Sequence, residues 1–347
     1  MPAAGLTALL LRPLGFGSVG LVAASAVLVG CVLVSVHHAE VVAHRVGEPF
    51  GTLVLAIAVT IIETSLILSM MLSGSANPAL PRDTVFAAIM LILNGLVGTC
   101  LLVGGVRHRE QHFVLEGVNA ALCVLAAMAT LVLVLPTVAT GAGPAGQSPS
   151  QLAFTALVAP TLYATFIFVQ TIRHRDYFLP DGAGDLLMDE HAAPPAKRQA
   201  TMSFGLLLVA LASVVLLAKT LSHPLEQAVA AAALPRALVG IVIAALVLAP
   251  ESLAALRAAR RNRLQTSLNL ALGSALATIG LTIPTVAIAA LLMRWPLSLG
   301  LDPRGITLLA LSLIVAMLSF GTGRTTILQG VVHLVLLAAY IFTTIVP

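Results

Sequence analysis

Ten stretches of this chain are apolar for about the length a helix needs to cross a bilayer, roughly 20 residues. They fall at 17–37, 50–73, 83–106, 113–136, 151–172, 201–222, 234–256, 265–292, 305–320 and 325–346. In hydrocarbon no water is present to bond backbone groups, so each run is predicted to be an α-helix. The expected fold is therefore an all-α integral membrane protein with about ten transmembrane helices. Composition argues the same way, since 59% of the residues are apolar and only 9% charged, against roughly 25% charged in water-soluble domains. The net charge of +4 is too small and too scattered for a nucleic-acid partner. The first run has only Arg12 before it and is longer than the core of a signal peptide, so it is read as retained.

Two loops interrupt the runs. Residues 137–150 carry no charge, whereas 173–200 hold Asp176, Asp181, Asp185, Asp189 and Glu190 beside His191, Lys197 and Arg198. The acidic segment lacks the dense alternation of an EF-hand loop and reads as a solvated linker. It divides the chain into a first half, 1–172, and a second half, 201–347. With the N-terminus outside, twelve Lys and Arg residues fall on the inner side and six on the outer. The positive-inside rule then places both termini in the periplasm and the linker in the cytoplasm. Five helices per half is an odd number, so homologous halves must enter the membrane in opposite directions, as in many secondary transporters. Aligning Arg82 with Arg261 gives a faint internal match, with Leu91 on Leu270, Leu93 on Leu272 and Thr99 on Thr278. In that register Asn94-Gly95 lies over Gly273-Ser274.

Of fourteen acidic residues, two lie deep in apolar runs: Glu63 in the second and Glu251 in the seventh. Each is thus on the second helix of its half. Glu63 is about twelve residues into its run, about 18 Å at the helical rise, near mid-membrane. A carboxylate there is costly and usually faces a cavity or a pathway. The plainer alternative is a protonated Glu bonded to a neighbouring helix. No Lys or Arg occurs at that depth, so either a proton or an arriving cation must balance the charge. That competition is the minimal chemistry of proton/cation exchange, and it makes Glu63 and Glu251 the candidate proton and metal ligands.

Their neighbours suit an oxygen site. Thr60 lies one turn before Glu63 on its face. Pro250 precedes Glu251 and should free a backbone carbonyl near position 246, as in the broken helices that coordinate cations at membrane depth. Asn94, Thr99, Ser274 and Thr278, with Gly95 and Gly273 beside them, offer further oxygens and room on the third and eighth runs. Calcium takes six to eight hard oxygens. A Ser or Thr in a helix also commonly bonds its own backbone. His37, Glu40 and His44 share a helix face and read as a metal site or pH sensor, or as ordinary polar residues at the membrane interface. His333, with Gln329 one turn away, extends a proton path or packs helices. Cys31, Cys100 and Cys123 match no zinc or redox spacing and read as apolar filler.

The stretch HHAEVVAHRVGEPFGTLVLAIAVTIIETSLI resembles the bacterial ChaA-type calcium/proton antiporters, in the cation/proton exchanger branch of the calcium/cation antiporter superfamily. The similarity continues in RDTVFAAIMLILNGLVG, in LVLAPESLAALRAARRNRLQTSLNLALGSALATIGLTIPTV and in FGTGRTTILQGVVHLVLLAAY. It implies two inverted five-helix halves, an acidic cytoplasmic linker, and Glu63 and Glu251 as the central cation and proton carriers. The wider exchanger family often has Gly-Asn a few residues before each key Glu. Here those positions read Val59-Thr60-Ile61-Ile62 and Leu248-Ala249-Pro250, and ChaA-like proteins are also associated with sodium and potassium exchange. The expected function is exchange of calcium, and also of sodium or potassium, for protons across the inner membrane, with calcium a transported substrate and no cofactor. A monovalent antiporter and a passive cation channel are the alternatives. No HExxH motif and no nucleophile with a base partner occurs, so no catalytic residue is assigned.

Overall fold

The computed structural model describes residues 18–46, 50–72, 77–139, 147–179, 195–231, 235 and 237–346. Arg12, the linker residues Asp181, Asp185, Asp189, Glu190 and His191, and half of the uncharged loop lie outside them.

Each predicted run becomes a helix. In chain order these are α1 (Ser18–Val46), α2 (Phe50–Leu72), α3 (Leu80–His108), α4 (Leu115–Val138), α5 (Pro149–Arg173), α6 (Lys197–Ala231), α7 (Ala237–Arg260), α8 (Leu264–Met293), α9 (Pro303–Phe320) and α10 (Ile327–Ile345). Among the described residues, nine stretches are long and apolar enough to span a membrane, and Ile57–Leu72 within α2 is a shorter apolar helix. α1 runs nine residues past its apolar run, because His37, His38, Glu40 and His44 are polar yet tolerated in helices. Helix starts follow local capping chemistry. Ser148 and Gln151 form a capping box at α5, with Pro149 at the first helical position, and Thr326 and Gln329 form another at α10. Asp302 caps α9 by accepting from the Gly305 amide at 2.7 Å.

The helices gather into two compact units, and each takes helices from both sides of the central linker. The first comprises Met1–Asn77 and Glu190–Pro250. In it α1 packs along α6 and α2, burying Cys31, Val32 and Val36 with Ile62, Ile67, Ala210 and Val214. The second comprises Pro78–Asp189 and Glu251–Pro347. There α3 and α8 are the central helices, 78% and 61% buried over their apolar windows against 22% for α10. The outer helices turn Leu157, Leu318, Leu328 and Val335 outward, as expected where the solvent is lipid and exposed leucine costs nothing.

Two features are absent from the sequence reading. A two-residue antiparallel ladder pairs β1 (Gln111–His112) with β2 (Arg324–Thr325), tying the α3–α4 and α9–α10 connections together. In addition, among the described residues four helices contain a π-helical turn: α3 at Leu91–Leu96, α4 at Thr130–Val134, α5 at Val169–Arg173 and α8 at Thr278–Thr282. Residues 63 and 251 are 188 positions apart, nine more than the Arg82–Arg261 alignment, and the π turns of α3 and α8 begin 187 positions apart, at 91 and 278. The π turns of α4 and α5 have no counterpart at that spacing.

Candidate functional site

Each membrane-depth glutamate belongs to a different unit. In the first, Glu63 lies on α2 and is 2% exposed. It follows the tightly buried Ile62 and precedes Thr64, whose hydroxyl is buried without a hydrogen-bond partner among the described residues, as is that of Ser69 below it. Thr60, one turn before, is partly buried. A buried ionisable group must be balanced by a proton or by a positive charge. Thr64 and Ser69 are buried polar members of this helix that sequence reasoning passed over. The signal for them was present, since each is a hydroxyl residue in a largely apolar run, as is Ser65.

In the second unit Glu251 is partly buried on α7 and accepts a short hydrogen bond from the Ser274 hydroxyl of α8. A carboxylate that receives such a bond is stabilised in its charged form. Its charge also acts on the phenol of Tyr163, a buried α5 residue whose Cβ is seated against Gly280 in the π turn of α8. A Cβ on Gly280 would come within 2.5 Å of that of Tyr163, so only glycine allows α5 this close. Tyr163 was invisible in the sequence because its proximity to Glu251 depends on that packing. Thr278 is buried at the start of the same π turn.

Pro250 does not break α7, which runs as one helix from Ala237 to Arg260. The proline deletes a single backbone bond, and Leu246 keeps its place in a continuous helix. The carbonyl near position 246 thus loses the donor a residue other than proline would supply, while the helix stays continuous around it.

The oxygens expected on α3 are already committed. Asn94, fully buried, donates from Nδ2 to Ser312 Oγ at 2.8 Å, and its Oδ1 meets His333 Nδ1 at 3.1 Å. Thr99 donates to its own helix at Gly95 O, 2.7 Å away, the ordinary use of a helical threonine. Gly95 seats Leu337 of α10, and nothing lies within 4 Å of a Cβ at Gly273. Of the six third- and eighth-helix residues named from sequence, Ser274 is thus the one that the geometry brings to a glutamate.

The weaker candidates separate similarly. His37, Glu40 and His44 are exposed along α1. Among the described residues no three His, Cys, Asp or Glu side chains gather as a metal-holding group, which corrects the metal reading of that face. The neighbouring His38 is the histidine turned inward, with Nδ1 buried and lacking a hydrogen-bond partner. Gln329 is spent on the α10 cap, accepting from the Thr326 amide and hydroxyl at 2.9 and 2.7 Å, so it does not extend a path from His333. Cys31 and Cys100 are buried and Cys123 exposed, all three as free thiols.

Comparison with known proteins agrees with this architecture. The family model described as sodium/calcium exchanger protein matches residues 16–172 and 202–346, leaving out the linker. The y4hA protein of Sinorhizobium fredii, named for ionic transport without a stated ion, is 48% identical over 332 residues, 94% of this chain and 89% of its own. The sodium-potassium/proton antiporter ChaA of Escherichia coli is 37% identical over 309 residues, 89% of this chain and 84% of that protein. Native YfkE, described in another structure as a Ca2+/H+ antiporter, superposes with a TM-score of 0.74 at 16% identity, covering 99% of this chain and 98% of that one. The protein is a multi-pass membrane protein that belongs to the sodium/calcium exchanger family.

Proposed function

We propose that this protein is a secondary active antiporter that exchanges calcium, and also sodium or potassium, for protons across the inner membrane. The observation that carries this reading is a pair of carboxylates at membrane depth, Glu63 and Glu251, on the second and seventh helices. Ser274 donates to Glu251, Thr60 and Thr64 stand near Glu63 in its helix, and neither glutamate has a lysine or arginine at its depth in the sequence. Such a carboxyl is neutral with a proton or with a cation, and exchanging one for the other couples the two fluxes. Thr60, Thr64 and Ser274 supply further hard oxygens. The placement of each glutamate on the second helix of its half supports alternation by symmetric halves. The excess of Lys and Arg on one side supports periplasmic termini and a cytoplasmic linker.

Two ion preferences are distinguished by the relatives. A 37% identical relative is named a sodium-potassium/proton antiporter, which favours monovalent exchange, while a 25% identical relative from Aphanothece halophytica is named a Ca(2+)/H(+) antiporter. The test is purified protein in liposomes with an internal pH-sensitive dye and successive additions of calcium, sodium and potassium. Exchange requires that at least one cation drive saturable proton movement that reverses with the imposed pH gradient. A current that neither saturates nor couples to pH would assign a passive channel instead.

A further inference from the structure

His333, on α10, read from the sequence as extending a proton path or packing helices, is 0% exposed. The direction of every hydrogen bond around it can be assigned. Ser312 Oγ donates to Leu308 O at 2.7 Å, so its oxygen accepts from Asn94 Nδ2. The Asn94 carbonyl oxygen therefore faces His333, and Nδ1 carries the hydrogen that meets it at 3.1 Å. Nε2 then holds a lone pair, and it has no hydrogen-bond partner among the described residues. The imidazole is a clamp that works through one nitrogen, Nδ1.

The clamp closes on an irregular place. Asn94 lies in the π turn of α3, where a helix has spare conformational freedom and a functional role is common. Two glycines let α10 come close enough to reach it. A Cβ at Gly98 would lie 3.0 Å from that of His333, and one at Gly330 would lie 2.5 Å from the Leu102 amide. The clamped turn packs against the Leu264–Ala277 part of α8, which carries Ser274 and its bond to Glu251.

We propose that His333 is a positioning residue for cation binding: its Nδ1–H fixes the Asn94 amide, the fixed π turn seats the first part of α8, and that helix holds the Ser274 hydroxyl on Glu251. This rests on the exchange reading above, and it assigns a role at the same site to a residue that touches neither glutamate.

The experiment compares His333→Asn, His333→Gln and His333→Leu in proteoliposomes, using whichever of calcium, sodium or potassium the wild type moves. The Asn amide nitrogen overlays Nδ1, whereas that of Gln overlays Nε2. His333→Leu should raise KM about tenfold, the effect of stranding a buried hydrogen-bond acceptor, with Vmax per folded protein little changed. His333→Asn should recover most of the affinity, and His333→Gln should not. Combined with Ser274→Ala, His333→Leu should raise KM by less than the product of the two single effects, because both act on one bond. If His333→Leu does not fold, the Asn and Gln variants decide alone. Equal KM for Asn and Gln, an unchanged KM in Leu, or full multiplicativity with Ser274→Ala would overturn the inference while leaving exchange standing. A wild type that moves no cation against protons would overturn exchange itself, and this role with it.

Discussion

The Ser274 hydroxyl donates directly to the Glu251 carboxylate, joining α8 to the acidic position of α7. Hydrogen bonds to charged groups contribute about 1.5–3 kcal/mol, equivalent to about ten- to hundredfold in affinity. Ser274→Ala should therefore weaken apparent cation affinity about tenfold or more, since the proton competes better for a carboxylate deprived of its donor. Ser274→Thr keeps the hydroxyl and should stay near wild type. Cation-dependent exchange rates measured over a concentration series check both, and a wild-type KM in Ser274→Ala would remove the bond from the mechanism.

Glu63→Gln and Glu251→Gln preserve volume and polarity while removing the exchangeable charge. Each should abolish cation-driven proton movement yet leave a monodisperse protein in detergent, with a melting temperature close to wild type. Gel filtration and thermal unfolding supply the folding control, and dye-loaded liposomes supply the activity. Normal exchange in either variant would exclude that residue as a carrier.

The helices and the two glutamates were legible because hydrophobic length and a stray charge are properties of a single segment. Glu63 stood out in LAIAVTIIETSLILSMML before any helix was placed beside it. What was not legible depended on partners distant in the chain. Asn94 looked like a free ligand because its bonds run to Ser312 and His333, more than 200 positions away. Gln329 looked like part of a relay, although the Thr-x-x-Gln spacing before an apolar run is itself a capping signal. The π turns have no composition of their own. Those of α3 and α8 contain Asn-Gly and Ile-Gly-Leu, while those of α4 and α5 contain no glycine, so their positions emerge from backbone geometry alone.

The close contact of α3 and α10 depends on Gly98 and Gly330. In Gly330→Ala the new methyl would meet backbone atoms of both Leu102 and Gly98 within 2.9 Å. Backbone cannot rotate away, so the helices must separate, at about 1–3 kcal/mol for overpacking. A lowered melting temperature in detergent is expected. Gly273→Ala is the contrasting case, with open space around the added methyl and a gain in helix propensity of about 1 kcal/mol. It should melt at or above the wild-type temperature. The opposite order would show that the α3–α10 seam is not the tight one.

The asymmetric distribution of Lys and Arg, twelve against six, sets an expectation for orientation. With the native cysteines replaced by alanine, Asp185→Cys should resist a membrane-impermeant maleimide added to intact cells and react once the cells are opened. Labelling from outside would invert the assignment of the linker and of both termini.

Apparent cation affinity should fall as pH drops. A carboxyl ligand binds a cation only when deprotonated, so binding releases protons and acid opposes it. The sign follows from mass action at each glutamate. Below the range in which the carboxyl titrates it carries a proton and offers a cation no charge. Above that range it is anionic, and the cation is its counter-charge. The coupling needs no separate proton carrier. The measurement is cation uptake into proteoliposomes at equal internal and external pH, from about pH 8.5 to about pH 6.5, a range that brackets the titration of many buried carboxyl groups. Weakening by about tenfold for each proton displaced per pH unit is the expectation in the lower part of that range. Affinity that stayed constant across it would separate the proton and cation paths and end the shared-carboxylate mechanism.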